Sequence, residues 1–229
     1  MDEGQYSLCS RMLAKLDREG ILRHVIIVGS WCLLGYEEFF AGIEYHPLVR
    51  TTDIDILVPL PTRFRKRVNL ESLLKDLDFV ISLRGSHGNI SFLHRELLLE
   101  FLVPEQGRGS DKPYPLPDLG ANAQRLRFLS FLAADTIWGT LGDVRVRLPH
   151  PARFGLHKLL VSTRRKKAAK RDNDRRQGIY VLEKLVESGR KRDVRVAYEA
   201  MHEKWRRAVR RALEEDPLGH VILQETGLE

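Results

Sequence analysis

The sequence predicts an α+β protein, a mixed-sheet front half followed by a mainly helical back half. Three observations carry this. Short β-branched runs, H-V-I-I-V-G at His24–Gly29 and T-T-D-I-D-I-L-V-P at Thr51–Pro59, are interleaved with helical patterns in the front half. The stretch E-Q-G-R-G-S-D-K-P-Y-P-L-P-D-L-G, Glu105–Gly120, is rich in glycine and proline and marks a joint. From Pro151 almost to the C-terminus the apolar residues follow a helical period. The expected domains are 1–120, an α/β domain with an N-terminal helix, and 121–229, a strand pair and then a helical C-terminal domain.

Taken in order, Leu8, Met12, Leu13 and Leu16 predict a helix over 5–20, stopped at Gly20. His24–Gly29 is a buried strand ending in glycine. S-W-C-L-L-G-Y-E-E-F-F-A-G predicts a helix over Ser30–Gly42, with Ser30 as its N-cap. Thr51–Pro59 is a second strand, and Asn69–Phe79 an amphipathic helix capped by Asn69. Ile90–Pro104 reads as one or two strands, a hairpin broken around His94–Arg95. Arg125–Ala133 and Asp143–Pro149 alternate like strands, with turn signals around Gly139 and Gly142 between them. Helices follow over about 151–187, with a break, and about 191–215. Trp31 and Trp138 are expected to pack, Trp205 and Leu213 to anchor the helical core, and His87 to sit in a turn. There is no internal repeat.

The chain has 229 residues, 43% of them hydrophobic, which is ample for a folded core. No apolar run approaches the roughly 20 residues that span a bilayer. The N-terminal stretch is too charged for a secretory signal, so a cytoplasmic, membrane-free protein is expected. Two cysteines, Cys9 and Cys32, do not make a disulfide framework, and no Cys/His cluster has zinc spacing. A net charge of +7 is compatible with a polyanionic partner such as nucleic acid or nucleotide phosphates.

The chemistry is concentrated in V-R-T-T-D-I-D-I-L-V-P. Strand side chains alternate faces, so Asp53 and Asp55 point one way and Ile54 and Ile56 the other. Two carboxylates on one face repel, and a hard divalent cation resolves the conflict. The alternative is a solvated pair meeting Arg50 or Lys66. Upstream, V-G-S at Val28–Ser30 joins a strand to a helix, where backbone N–H groups and a hydroxyl suit a phosphate. Glu100, alone among leucine, phenylalanine and valine, needs a partner: a shared metal, or Arg95 or another arginine.

V-G-S-W-C-L-L-G-Y followed by R-T-T-D-I-D-I-L-V resembles the nucleotidyltransferase superfamily of DNA polymerase β type, over residues 24 to about 104. The R-T-T-D-I-D flavour is similar to the minimal bacterial branch, which includes abortive-infection type toxins. The resemblance implies Mg²⁺ (or Mn²⁺) held by Asp53, Asp55 and Glu100, which would be the catalytic acids. It implies a nucleoside triphosphate bound by Gly29, Ser30, Arg50 and Thr52. It implies transfer of a nucleotidyl group to RNA, protein or a small molecule. In the back half, P-A-R-F-G-L-H-K-L-L and R-D-N-D resemble later helices of those relatives. On that likeness Lys158 would reach phosphates, and Asp174 (or Asp172) would orient basic groups. Two departures stand out. The third acid is Glu rather than Asp, and the gap before Asp53 is long, so an insertion lies around A-G-I-E-Y-H-P-L-V. The basic run over 158–176 fits either an RNA acceptor or a solvated helix face. The rival function is a non-catalytic nucleotide- or nucleic-acid-binding protein on the same fold, a toxin–antitoxin component for instance.

Overall fold

A computed structural model of the chain describes residues 3–47, 49, 51–107 and 109–228. The chain divides into two compact units, Met1–Gly35 with Pro47–Leu148, and Tyr36–His46 with Pro149–Glu229. Against the expected boundary at 120/121, the strands after the proline-rich joint fall in the first unit.

The first unit opens with α1 (Glu3–Arg18), whose buried stripe is Leu8, Cys9, Met12, Leu13 and Leu16. Gly20, at φ +73°, lets Ile21 N–H donate back to the Leu16 carbonyl and ends the helix. β1 (Ile26–Val28) leads into a 3₁₀ turn at Gly29–Trp31 and the short α2 (Cys32–Gly35). β2 (Asp53–Leu57) is followed by α3 (Leu70–Leu74), where the Asn69 side chain accepts from Ser72 N–H as the expected cap. Then come β3 (Val80–Arg84), β4 (Asn89–Leu93) and β5 (Leu98–Pro104). β6 (Tyr114–Leu116), β7 (Ala121–Leu126), α4 (Leu129–Ala133), β8 (Thr136–Leu141) and β9 (Val144–Pro149) complete it.

The main sheet has seven strands, running β1-β2-β5-β4-β3, with β7 beside the far end of β5 and β6 beside β7. β2 and β5 are parallel, as are β5 and β7; β1 with β2, and β4 with its two neighbours, are antiparallel. Ile54, Ile56, Leu99 and Phe101 are buried on one face. On the other face Ile26, Val28, Leu57 and Leu102 form an apolar cluster with Leu129 and Leu132 of α4. The face that carries acids at Asp53 and Asp55 therefore turns apolar at Leu57, where α4 covers it.

Several local expectations are corrected. The helix expected over Ser30–Gly42 is helical only to Gly35, and then gives way to turns closed by Phe40 N–H on the Tyr36 carbonyl and Ile43 N–H on the Phe40 carbonyl. Ser30 lies inside the 3₁₀ turn and is not an N-cap. Arg125–Ala133 is not one strand: β7 ends at Leu126 and α4 begins at Leu129. Phe128 adopts φ +69° between them, which turns the chain and brings Leu129 and Leu132 onto the cluster. Gly139 is mid-strand in β8 rather than a turn, because a Cβ there would strike the Gly35 carbonyl and the Leu148 side chain. Trp31 is fully buried, but Trp138 is 49% exposed, on the outer face of the two-stranded β8–β9 sheet with the Arg145 guanidinium 5.2 Å from its ring. The Glu105–Gly120 stretch carries the short β6 as well as loop.

The second unit consists of α5 (Pro151–Ser162), α6 (Ala168–Glu187), α7 (Lys191–Glu199), α8 (Glu203–Glu214) and α9 (Pro217–Thr226). α5 and α6 are the expected broken pair. Three starts are capped by side chains: His150 accepts from Ala152 N–H, His202 from Lys204 N–H and Asp216 from Leu218 N–H. The Tyr36–His46 segment, which overlaps the start of the insertion expected around A-G-I-E-Y-H-P-L-V, packs here through aromatic rings. Tyr36 Oη donates to the Pro149 carbonyl at 2.9 Å and its ring meets Phe154 edge-on. Leu213 is buried as expected, and Trp205 partly so. Among the described residues no helix is long and apolar enough to cross a membrane.

Candidate active site

The sheet register builds a row of partners across the first unit. Val28 pairs with Asp55, Asp55 with Glu100, Glu100 with Ser91 and Ser91 with Ser82. Residues paired in register share a face, and adjoining strands run about 4.8 Å apart. Asp55 and Glu100 therefore stand side by side on neighbouring parallel strands. Asp53, two residues along β2, is on the same face. The three acids singled out from the sequence meet on one surface, beside the 3₁₀ turn that holds Gly29 and Ser30.

Gly29 is required twice over. Its φ is +75°, a conformation L side chains rarely adopt, and a Cβ on it would lie 2.5 Å from Asp55 Oδ2. The Asp55 carboxylate rests on the open side of this glycine. Asp53 is fixed at its backbone, where its N–H donates to Thr51 Oγ1 at 3.1 Å. The Thr52 hydroxyl donates to Asp53 Oδ1 at 3.2 Å. Gln5, reaching from α1, donates through Nε2 to the carbonyls of Thr51 (2.7 Å) and Glu96 (3.2 Å), tying together the segments that lead into β2 and β5. Glu100, its side chain 23% exposed, faces Arg84 Nη1 across 3.5 Å. The arginine partner foreseen for Glu100 is thus Arg84; Arg95 pairs with Glu96. Among the described residues no three His, Cys, Asp or Glu side chains are gathered tightly enough to hold a metal ion as they stand. Asp53 turns toward Thr52 and Glu100 toward Arg84.

Arg50 lies outside the described residues. Lys158 and Asp174 belong to the helical unit and to each other. Lys158 Nζ meets Asp174 Oδ1 at 2.7 Å, and Arg165 Nε meets Asp174 Oδ2 at 2.8 Å. Lys158 is 9% exposed and Asp174 4%. Burial by itself raises the Asp174 carboxyl, but the Lys158 charge and the hydrogen bonds from Lys158 and Arg165 outweigh it, so its pKa falls below the ordinary range. The two aspartates of R-D-N-D differ in burial and partners: Asp174 is buried and pairs with two cations, whereas Asp172 pairs with Arg171 near the surface at 3.4 Å. In this arrangement the Lys158 ammonium is buried and engaged by Asp174, so it presents little of itself to a phosphate. Cys9 and Cys32 are buried and not disulfide-bonded, and Cys32 Sγ donates to the Ile27 carbonyl at 3.2 Å; burial pushes the Cys9 pKa up, which keeps it inert.

Sequence reasoning missed Arg84 and Gln5. Both act through register and packing between segments far apart in the chain, which no local pattern reports.

With this geometry in place, the chain matches the family model described as nucleotidyltransferase over residues 7–203, and it belongs to that family. Among solved structures it is similar to an antigenic nucleotidyltransferase-like protein from Paracoccidioides brasiliensis. That likeness has a TM-score of 0.52 and 16% identity, covering 96% of this chain and 92% of the other. It is also similar to the antibiotic-resistance factor ANT(2'')-Ia in its solution structure, with a TM-score of 0.45, 17% identity, and 87% and 96% of the two chains covered. For the crystal structure of ANT(2")-Ia in complex with adenylyl-2"-tobramycin the figures are 0.44, 15%, 85% and 94%. No curated protein matches the sequence.

Proposed function

We propose that the chain is a Mg²⁺-dependent nucleotidyltransferase that moves a nucleotidyl group from a nucleoside triphosphate to a hydroxyl acceptor. One observation carries the reading: Asp55 and Glu100 stand in register on adjoining parallel strands, with Asp53 on the same face and Gly29 beside Asp55. The donor set fits the ion in kind. Three carboxylates offer hard oxygens to a hard cation, and Gly29, having no Cβ, lets the Asp55 carboxylate sit close against the strand-to-helix turn. Asp53, Asp55 and Glu100 would hold Mg²⁺ (or Mn²⁺), which when bound would neutralise phosphate charge and polarise the acceptor hydroxyl. Glu100 would take the acceptor's proton once it leaves Arg84. Gly29, Ser30 and Thr52 would steady the triphosphate. RNA is the acceptor that suits the basic run over 158–176.

A second reading, a non-catalytic nucleotide-binding protein on this fold, is favoured by the Arg84–Glu100 contact, which occupies the third acid. The double substitution Asp53→Asn, Asp55→Asn separates the two. On the transferase reading it abolishes Mg²⁺-dependent release of pyrophosphate from labelled triphosphate in the presence of RNA. Relief of like-charge repulsion leaves stability unchanged or raised by about 1 kcal/mol. Full activity in the double variant would sink the metal clamp. Triphosphate binding by wild type without any turnover would establish the second reading.

A further inference from the structure

In the helical unit a cleft of about 620 Å³ opens where the end of α5 meets α6 and α8. Four arginines line it, Arg164, Arg171, Arg175 and Arg211, against two acids, Asp172 and Glu215. The acids are loosely engaged near the surface: Arg171 Nε lies 3.4 Å from Asp172 Oδ1, and Arg175 Nη1 3.2 Å from Glu215 Oε2. Exposed pairs of this kind contribute little and exchange partners readily. Arg211 makes no ion pair among the described residues. Ala208 and Ala212, one turn apart on α8, keep the wall clear of bulk. The hydroxyls of Ser162 and Thr163 turn back onto the Leu159 and Leu160 carbonyls at 2.7 and 2.8 Å, so the donors offered to a ligand are guanidinium groups. Asp174, the acid that could have quenched this charge, is taken up by Lys158 and Arg165.

A concave wall with an excess of one sign focuses its potential, and guanidinium forks match phosphate oxygens two at a time. We propose that this cleft is a phosphate-binding site for a ligand carrying successive phosphate groups, either a free polyphosphate chain or the backbone of single-stranded RNA. It lies wholly within the helical unit; its RNA branch rests on the acceptor reading of the basic run over 158–176, whereas its polyphosphate branch does not, and neither needs the acids of the sheet.

The test titrates tripolyphosphate, and separately a short single-stranded RNA, into the full chain in EDTA, so that a metal-dependent triphosphate site contributes nothing. Wild type is compared with Arg171→Gln/Arg211→Gln and with Arg192→Gln, an exposed α7 arginine outside the cleft. Circular dichroism checks the fold, and Arg211→Gln alone serves if the double variant is unstable. The double variant should weaken binding of at least one probe by about ten-fold or more. For RNA, the slope of log affinity against log salt should shrink by about 1.4, roughly 0.7 for each lost contact. A response confined to RNA assigns the cleft to a nucleic-acid backbone; one confined to tripolyphosphate assigns it to a free polyphosphate. Wild type binding neither probe, or the double variant behaving like Arg192→Gln, overturns the proposal.

Discussion

On α5 the His157 ring is partly covered, yet its Nε2 is sealed from solvent without a hydrogen-bond partner among the described residues. Burial, reinforced by the neighbouring Lys158 charge, lowers its pKa to about 3. A folded-state value below the unfolded one means that the unfolded chain takes up a proton the folded chain refuses, from about pH 6.5 down to about 3. Stability therefore falls as the pH drops through that window. Asp174 acts in the same direction at lower pH: its lowered pKa contributes stability above the unfolded value, and that is lost as the pH falls through the folded one. His157→Gln should remove the first effect. Wild type should lose up to about 2 kcal/mol between pH 6.5 and 5 in urea denaturation, and the variant markedly less. Parallel pH profiles would take His157 out of the account. Asp174→Asn should cost about 3–5 kcal/mol at neutral pH, because it leaves Lys158 buried and uncompensated. Arg165 holds the other Asp174 oxygen, so a probe of the basic run has to spare it and use Arg164, Lys166 and Lys167.

Between elements, the crossing of α5 and α6 is set by two glycines. A Cβ on Gly178 would lie 2.8 Å from the Gly155 carbonyl, and one on Gly155 would press on Leu182 at 2.8 Å. Backbone meets backbone there, so the obstruction cannot rotate away. Gly178→Val should lower stability by about 1–3 kcal/mol or more, read as the thermal midpoint, while the exposed Gly189, with open space around it, anchors no such contact. A midpoint unchanged in Gly178→Val would show that the helices part at no cost. Elements with a strong period were legible in the sequence: α1, β2, β5, the broken α5–α6 pair and the Asn69 cap. So was the acidic pair, since alternation alone puts Asp53 and Asp55 on one face. Elements decided by distant partners were not. β3 has mostly exposed residues and is a strand because β4 pairs with it from Val80–Leu93 to Arg84–Asn89. Gly139 reads locally as a turn, but its neighbour Gly35 is remote in sequence. R-L-R-F-L-S-F-L-A alternates like a strand until Phe128 turns the chain, a choice made by the cluster around Leu57 and Leu102. Trp138 was expected to pack because aromatic residues usually do; strand alternation in β8 instead puts it on the outer face.

At the scale of the whole chain, the two units are not two successive lengths of sequence. Tyr36–His46 leaves the sheet-bearing unit and joins the helices before the chain returns at Pro47. The long spacing before Asp53 thus has a structural use. Tyr36 bonds the Pro149 carbonyl and packs on Phe154, Tyr45 lies 5.5 Å from Tyr180, and His46 N–H donates to Tyr180 Oη at 2.8 Å. The Arg190 guanidinium lies 4.3 Å from the Phe39 ring. Each aromatic or cation–π contact is worth about 0.5–1.5 kcal/mol beyond the area it buries. A helical fragment cut at 149 loses all of them and bares Phe154 and Tyr180. Residues 149–229 expressed alone should therefore melt at least about 5 °C below the same fragment carrying 36–46 on a Gly/Ser linker, since about 1 kcal/mol moves the midpoint of a domain this small by about 4–8 °C. Tyr36→Ala with Tyr45→Ala in the linked fragment should return it to the lower midpoint. If the two fragments melt together, the Tyr36–His46 segment only decorates the helices, and the long spacing before Asp53 needs another cause.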